Sequence, residues 1–305
     1  MRSKLRTLLR ILLFPFRVLG WLLRGIGRWI LAVASDVRNF FAEEPEDTPL
    51  PDTFVKTIEN PSGILVHLDA LRKHLMRSVL FLAITTAFSF TFAEQILKLL
   101  SRPLEGGAEA LVAIDVTEPI STLMRISLLS GFTLALPYIA FELWLFIAPG
   151  VGRRTRIIGL LAIPTIALFF VGGMAFTYFI LLPNAVPFLL SIMGITTQVR
   201  PSSYISFATA LLFWVGIAFE FPLVVFLLAT LGLVRAKTLA AQWRLAVVVI
   251  AVAAAAITPT VDPVNMSLVM APMIVLYFFS IGLAALAERG RRRRSEELLS
   301  QQALK

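Results

Sequence analysis

The chain has 305 residues, of which 58% are hydrophobic and only 15% charged. A soluble domain carries about 25% charged residues, so this composition excludes one and points to an integral membrane protein. There is no cysteine, which excludes disulfides, thiol catalysis and cysteine-based metal sites. The formal charge of +9 invites a nucleic-acid reading, but Lys and Arg gather at the edges of apolar runs. That distribution belongs to membrane topology and anionic lipid, not to nucleic acid.

In chain order, residues 1–41 form the first unit. Arg2, Arg6, Arg10, Arg17, Arg24 and Arg28 recur at spacings of four and seven, among Leu, Ile, Phe and Trp. On a helix they make one basic stripe. The arginines interrupt the apolar part too often for a signal peptide or a span. The segment reads as an interfacial amphipathic helix, kinked at Pro15, lying on anionic lipid. Residues 42–65 follow as a linker rich in acids and proline, which does not favour packed structure.

Residues 66–289 read as an all-α membrane domain of six spans, at about 76–92, 120–147, 157–182, 204–231, 245–258 and 264–287. The fifth, at about 14 residues, reaches only about 21 Å, short of the roughly 30 Å hydrocarbon core. Residues 290–305 make a basic-to-polar tail. Arg72, Lys73, Arg77, Arg153, Arg154, Arg156, Arg235, Lys237, Arg244 and Arg289 fall on one side of the predicted topology. The opposite loops hold Lys98, Arg102 and Arg200, with acids at Glu94, Glu105, Glu109, Asp115 and Glu118. The positive-inside rule then puts both termini in the cytoplasm, and the cytoplasmic membrane is the expected location. Pro103, Pro119, Pro183 and Pro187 read as helix terminators in the outer loops, and Arg125 as a snorkelling interfacial arginine.

Glu220 is the only ionisable residue in the apolar run 207–233. A charged carboxylate at the bilayer centre costs roughly 2.5–3.5 kcal/mol on insertion scales. It is tolerated if protonated, paired, or turned to a watery cavity. Glu220 is either a functional group inside the membrane or a neutral acid bonded to a neighbouring helix. His67 and His74 lie seven apart and share a helix face, which suits packing better than a metal site. No nucleophile–base pair, metal cluster or cofactor motif stands at useful spacing, so no enzyme, metal or cofactor is expected.

Four segments in order resemble the TatC family, the multispanning core of the twin-arginine protein translocase. They are His67-Leu68-Asp69-Ala70-Leu71-Arg72-Lys73-His74-Leu75, Glu142-Leu143-Trp144-Leu145-Phe146-Ile147-Ala148-Pro149-Gly150, Phe219-Glu220-Phe221-Pro222 and Thr258-Pro259-Thr260-Val261-Asp262-Pro263. The resemblance implies a glove-shaped six-helix fold and single-span partners of the TatA and TatB kind. It also implies twin-arginine signal peptides as ligands, and export of folded proteins on the protonmotive force. It places Asp69, Arg72, Glu142, Phe146, Pro149 and Thr155 on the signal-peptide face. It places Glu220, Phe219 and Pro222 at an intramembrane packing or partner site, and Pro103, Thr258, Asp262 and Met266 at outer or partner-docking positions.

The chain departs from the family where charge matters. Two guanidinium groups call for carboxylates, because charge-assisted bidentate pairs supply energy and orientation. The family's two glutamates are replaced by Ala70 and Thr155, the latter within Arg153-Arg154-Thr155-Arg156, a loop expected to repel a twin-arginine peptide. Met266 and Phe278 stand where the family shows polar groups. Substitutes are Asp69, Glu142 (which could instead snorkel or bind Arg153) and the acidic linker. The resemblance therefore allows a full receptor, or a divergent paralogue beside another TatC-like chain. A transporter or proton pathway centred on Glu220 and a structural assembly subunit are the other readings.

Overall fold

The computed structural model describes residues 61–148, 153–191, 198–258 and 263–303, together with Ser35 and Arg38. The interfacial helix expected at 1–41 and most of the linker expected at 42–65 otherwise lie outside the described residues, as do Pro149 and Asp262, while residues 61–65 are helical. The described chain is helical. In order, α1 spans Pro61–Phe90, α2 Ala93–Leu100, α3 Glu118–Ile147 and α4 Arg153–Phe176. A π-helical turn, Thr177–Leu181, joins α4 to α5, Leu182–Ser191. Then come α6, Pro201–Leu231, α7, Ala236–Ala241, α8, Trp243–Ile257, and α9, Pro263–Ala303.

Four stretches are long and apolar enough to cross a membrane: Glu118–Ile147, Gly159–Leu190, Pro201–Leu231 and Pro263–Gly290. His67–Phe90 and Ala93–Leu100, bent by 75°, make a fifth if counted as one span. The 15 residues of α8 are apolar but rise only about 22 Å. The structure thus gives four or five long spans and one short apolar helix where the sequence predicts six spans.

Helix ends follow local chemistry. Pro119 and Pro201 sit in the first turns of α3 and α6, where a missing N–H costs nothing. Gly232 ends α6 at φ +82°, with its N–H on the Ala229 carbonyl and the Leu233 N–H on the Leu228 carbonyl. Pro103 lies in the turns after α2, as the sequence suggests. Pro183 and Pro187 do not terminate a helix. Both lie in α5, directly after the π turn, whose wider register accommodates the rings, while the Asn184 amide donates to the Ile180 carbonyl at 2.5 Å. Nor does the last helix stop at the predicted membrane edge. Arg, Glu, Leu, Gln and Ala carry α9 on to Ala303.

The described chain divides into two compact units. The smaller takes the start of α1 with the end of α3 and the start of α4. In it His67 stacks on Phe146, ring centroids 4.3 Å apart. Trp144 Nε1 donates to the Arg156 carbonyl at 3.1 Å, and Arg156 Nε to the Ala148 carbonyl at 2.9 Å.

The larger unit holds the main apolar core, centred on Ile126, Leu181, Ile205, Leu211, Leu212 and Val215. Phe132, Phe170 and Phe213 meet edge to face at 5.2–6.4 Å. Tyr178 and Tyr204 donate to the carbonyls of Leu99 and Leu100, at 2.9 and 2.6 Å, and so satisfy the C-terminus of α2. Glycine brings backbones together at two crossings. A Cβ on Gly131 would lie 2.5 Å from Thr86 Cα, and one on Gly173 2.9 Å from Gly216 Cα. Gly131→Ala should therefore destabilise the protein by about 1–3 kcal/mol. Gly172→Ala, with nothing within 4 Å of the added methyl, should be neutral or slightly stabilising. Thermal unfolding of both variants in detergent checks the contrast.

Candidate functional site

Glu118, Glu142 and Glu220 lie in long apolar helices, and the structure treats each differently. Glu142, near the end of α3, is fully buried. His74 Nδ1 lies 2.6 Å from its Oε2, the Tyr138 hydroxyl donates to Oε1, and Arg77 Nη1 stands 3.8 Å away. Tyr138 precedes Glu142 by one helical turn, while His74 and Arg77 come from α1, whose Phe81 also packs on Tyr138 at 4.4 Å. A buried carboxylate is stable only when its charge is balanced and its lone pairs are used. Glu142 meets both conditions inside the fold. It is closed to solvent.

Glu118, at the start of α3, is likewise enclosed. Arg200 grips its Oε1 through both Nε, at 2.8 Å, and Nη2, and Ser202 donates to the same oxygen at 3.1 Å. The Ile114 N–H donates to Oε2 at 3.1 Å. The neighbouring Leu111–Val199 bridge ties the same two loops. Sequence reading treated Glu118 and Arg200 as separate loop charges. Eighty-two residues separate them, so no local spacing signals the pair.

Glu220 is the exception. It sits mid-α6, half-buried, one turn beyond Gly216 at the close crossing with α4. Its Oε1 is buried with no hydrogen-bond partner among the described residues. Phe219 packs over Gly173 and lies 5.7 Å from Phe176, Pro222 is buried, and Phe221 stacks on Tyr277 at 6.3 Å. A buried, unmet carboxylate oxygen normally costs more than a kilocalorie.

The other predicted positions are spread out. Asp69 and Arg72 are exposed on α1, Ala70 is half-buried between them, and Phe146 carries the His67 stack. Only the backbone of Thr155, in α4, is described. Arg156 is buried, its guanidinium on the last carbonyls after α3, where a cation complements the helix dipole. It is part of the fold, so it adds no free charge to the basic loop as the sequence suggested. Thr258 caps α8 through the Ala254 carbonyl at 2.8 Å, and Met266 packs half-buried on the core. Phe278 is exposed, while its neighbour Tyr277 donates to the Leu239 carbonyl at 2.6 Å. Glu288 accepts from the Ala236 N–H at 2.7 Å, so α9 holds both ends of α7. No cluster of three or more His, Asp or Glu with metal-binding geometry occurs among the described residues.

Comparison with known proteins follows this geometry. The family of the Sec-independent protein translocase protein (TatC) matches residues 66–272. The TatC protein of Koribacter versatilis is 35% identical over 245 residues, covering 77% of this chain and 89% of its own length. That of Deinococcus radiodurans is 35% identical over 248 residues, covering 79% and 91%. A crystal structure of the twin-arginine translocase receptor TatC superposes with a TM-score of 0.65 at 32% identity, covering 72% of this chain and 99% of that one.

The Glu142 cluster yields a graded expectation. Glu142→Leu leaves His74, Arg77 and Tyr138 without their acceptor and should destabilise the protein by about 3 kcal/mol. Glu142→Gln keeps an acceptor oxygen and should cost about 1 kcal/mol. Denaturant titration in detergent reads both values.

Proposed function

The chain belongs to the TatC family and is a translocase subunit of the Sec-independent, twin-arginine type, and on that premise we propose how its own residues serve export. It is the multispanning core that receives substrates and recruits single-span subunits of the TatA and TatB kind, and folded proteins then cross on the protonmotive force. In the membrane α1 with α2, α3, α4 with α5, α6, α8 and α9 make six crossings, the fifth a short one. Both termini lie in the cytoplasm, where the basic residues gather, and the protein performs no covalent chemistry.

The observation that carries this reading is Glu220, the intramembrane carboxylate with a buried oxygen left unbonded. A donor on a partner helix or substrate segment supplies the missing hydrogen bond. Glu118 and Glu142, already enclosed, play no such part. Signal reading is weakened relative to the family. Asp69, exposed on α1, is the acid left near the two positions where glutamates are missing. Paired arginines then meet one carboxylate rather than two, and lose bidentate orientation.

Export of a folded twin-arginine reporter, in cells lacking their own translocase core, tests this. The chain should restore export, and Glu220→Ala should reduce it at least about tenfold, the ratio that about 1.4 kcal/mol of lost contact produces. Full export by Glu220→Ala would leave Glu220 a packing residue only. Export that appears only beside a second TatC-like chain would identify this one as a paralogue that has given up signal reading. Crosslinking of the signal peptide to the Asp69 region should weaken with Asp69→Asn and vanish with a Lys-Lys signal.

A further inference from the structure

Two apolar grooves lie on the larger unit, and they share Leu82 of α1 and Leu128 of α3. The first, about 400 Å³, runs from Arg125 past Leu129 and Phe132 to Phe213 of α6. The second, about 620 Å³, runs along α1 from Val79 past Thr86 to Phe90, with Met124 on its other side. Both volumes fall in the range of small-ligand sites. Arg125 is the single charged residue in either lining. It is exposed, and among the described residues its guanidinium donates only to the neutral hydroxyl of Ser206, with no carboxylate within 4 Å. Most of its five N–H donors are thus uncommitted.

We propose that these grooves hold one anionic phospholipid, its phosphate on Arg125 and its two acyl chains on either side of the Leu82 and Leu128 ridge. Three features favour this occupant. A guanidinium presents a fork that matches phosphate, and among the described residues no carboxylate neutralises it. Arg125 lies seven residues inside the start of α3, about 10 Å along the axis, a depth from which a long side chain reaches the headgroup layer. And two grooves diverge from neighbouring residues, Met124 and Arg125, to opposite sides of a ridge, which suits a two-chained lipid. A transmembrane helix about 10 Å wide needs one undivided groove.

Native mass spectrometry of the full chain in detergent, titrated with dioleoylphosphatidylglycerol or dioleoylphosphatidylcholine, tests the proposal. The expected result is one phosphatidylglycerol held several-fold more tightly than phosphatidylcholine. Arg125→Gln should weaken phosphatidylglycerol roughly fivefold and abolish the preference, as one basic side chain near an anionic headgroup predicts. Arg125→Lys should keep most of it, and Ala210→Trp, which obstructs the first groove, should weaken both lipids. Unchanged phosphatidylglycerol binding by Arg125→Gln would overturn the site. A second measurement leaves Arg125 in place: a benzophenone side chain at position 128, activated in native membranes, should give a phospholipid adduct on the intact protein. A protein adduct there instead would assign the grooves to a partner helix and overturn the proposal.

Discussion

A carboxylate in apolar surroundings must be matched, and this requirement organises the chain. Glu142 is matched by two groups from α1 and one from its own helix. Glu118 is matched by a bidentate arginine, a serine and a backbone N–H. Each set pins elements far apart in sequence: the first fixes α1 against α3, the second fixes the loop before α3 against the start of α6. Removing either acid would strand buried donors, so these contacts define register as well as strength. Glu220 breaks the rule, its Oε1 buried with no hydrogen-bond partner among the described residues. Two of these acids are thus satisfied within the fold, and the third is the one the proposed function gives to a partner.

Packing around Glu220 is close. Gly173 and Gly216 bring α4 and α6 to backbone contact one turn away, and Phe219 and Pro222 close the helix surface on either side. Rigid neighbours keep the carboxylate in one place, which a contact inside a bilayer needs because lipid supplies no hydrogen bonds of its own. Farther out, Phe221 and Val224 remain exposed on the same helix. The surface around Glu220 is thus an acid beside apolar side chains, the chemistry on which the proposed helix contact rests.

Much of this was legible in the sequence. Apolar runs located α3, α4, α6 and α9 closely, because helices facing lipid must be apolar throughout. The lone acid in the fourth run identified Glu220, and the four ordered motifs identified the family. What the sequence did not disclose were partners separated by long stretches of chain. Glu142 and His74 lie 68 residues apart, Glu118 and Arg200 82. Only the Tyr138–Glu142 step, at i,i+4, carries a local signal. Arg156 looked like free loop charge because sequence does not show which basic residues fold back onto a helix end. Pro183 and Pro187 looked like terminators because proline rules describe regular α-helix, not a helix entered through a π turn.

The division of labour among the three acids rests most directly on what touches Glu220. A photoreactive side chain at position 224, one turn from Glu220 and exposed, reports this in membranes containing the whole translocase. The account predicts a crosslink to a single-span subunit or an inserted signal segment, lost when Glu220 becomes Ala. An identical crosslink with and without the carboxylate, or none to any protein, would contradict it.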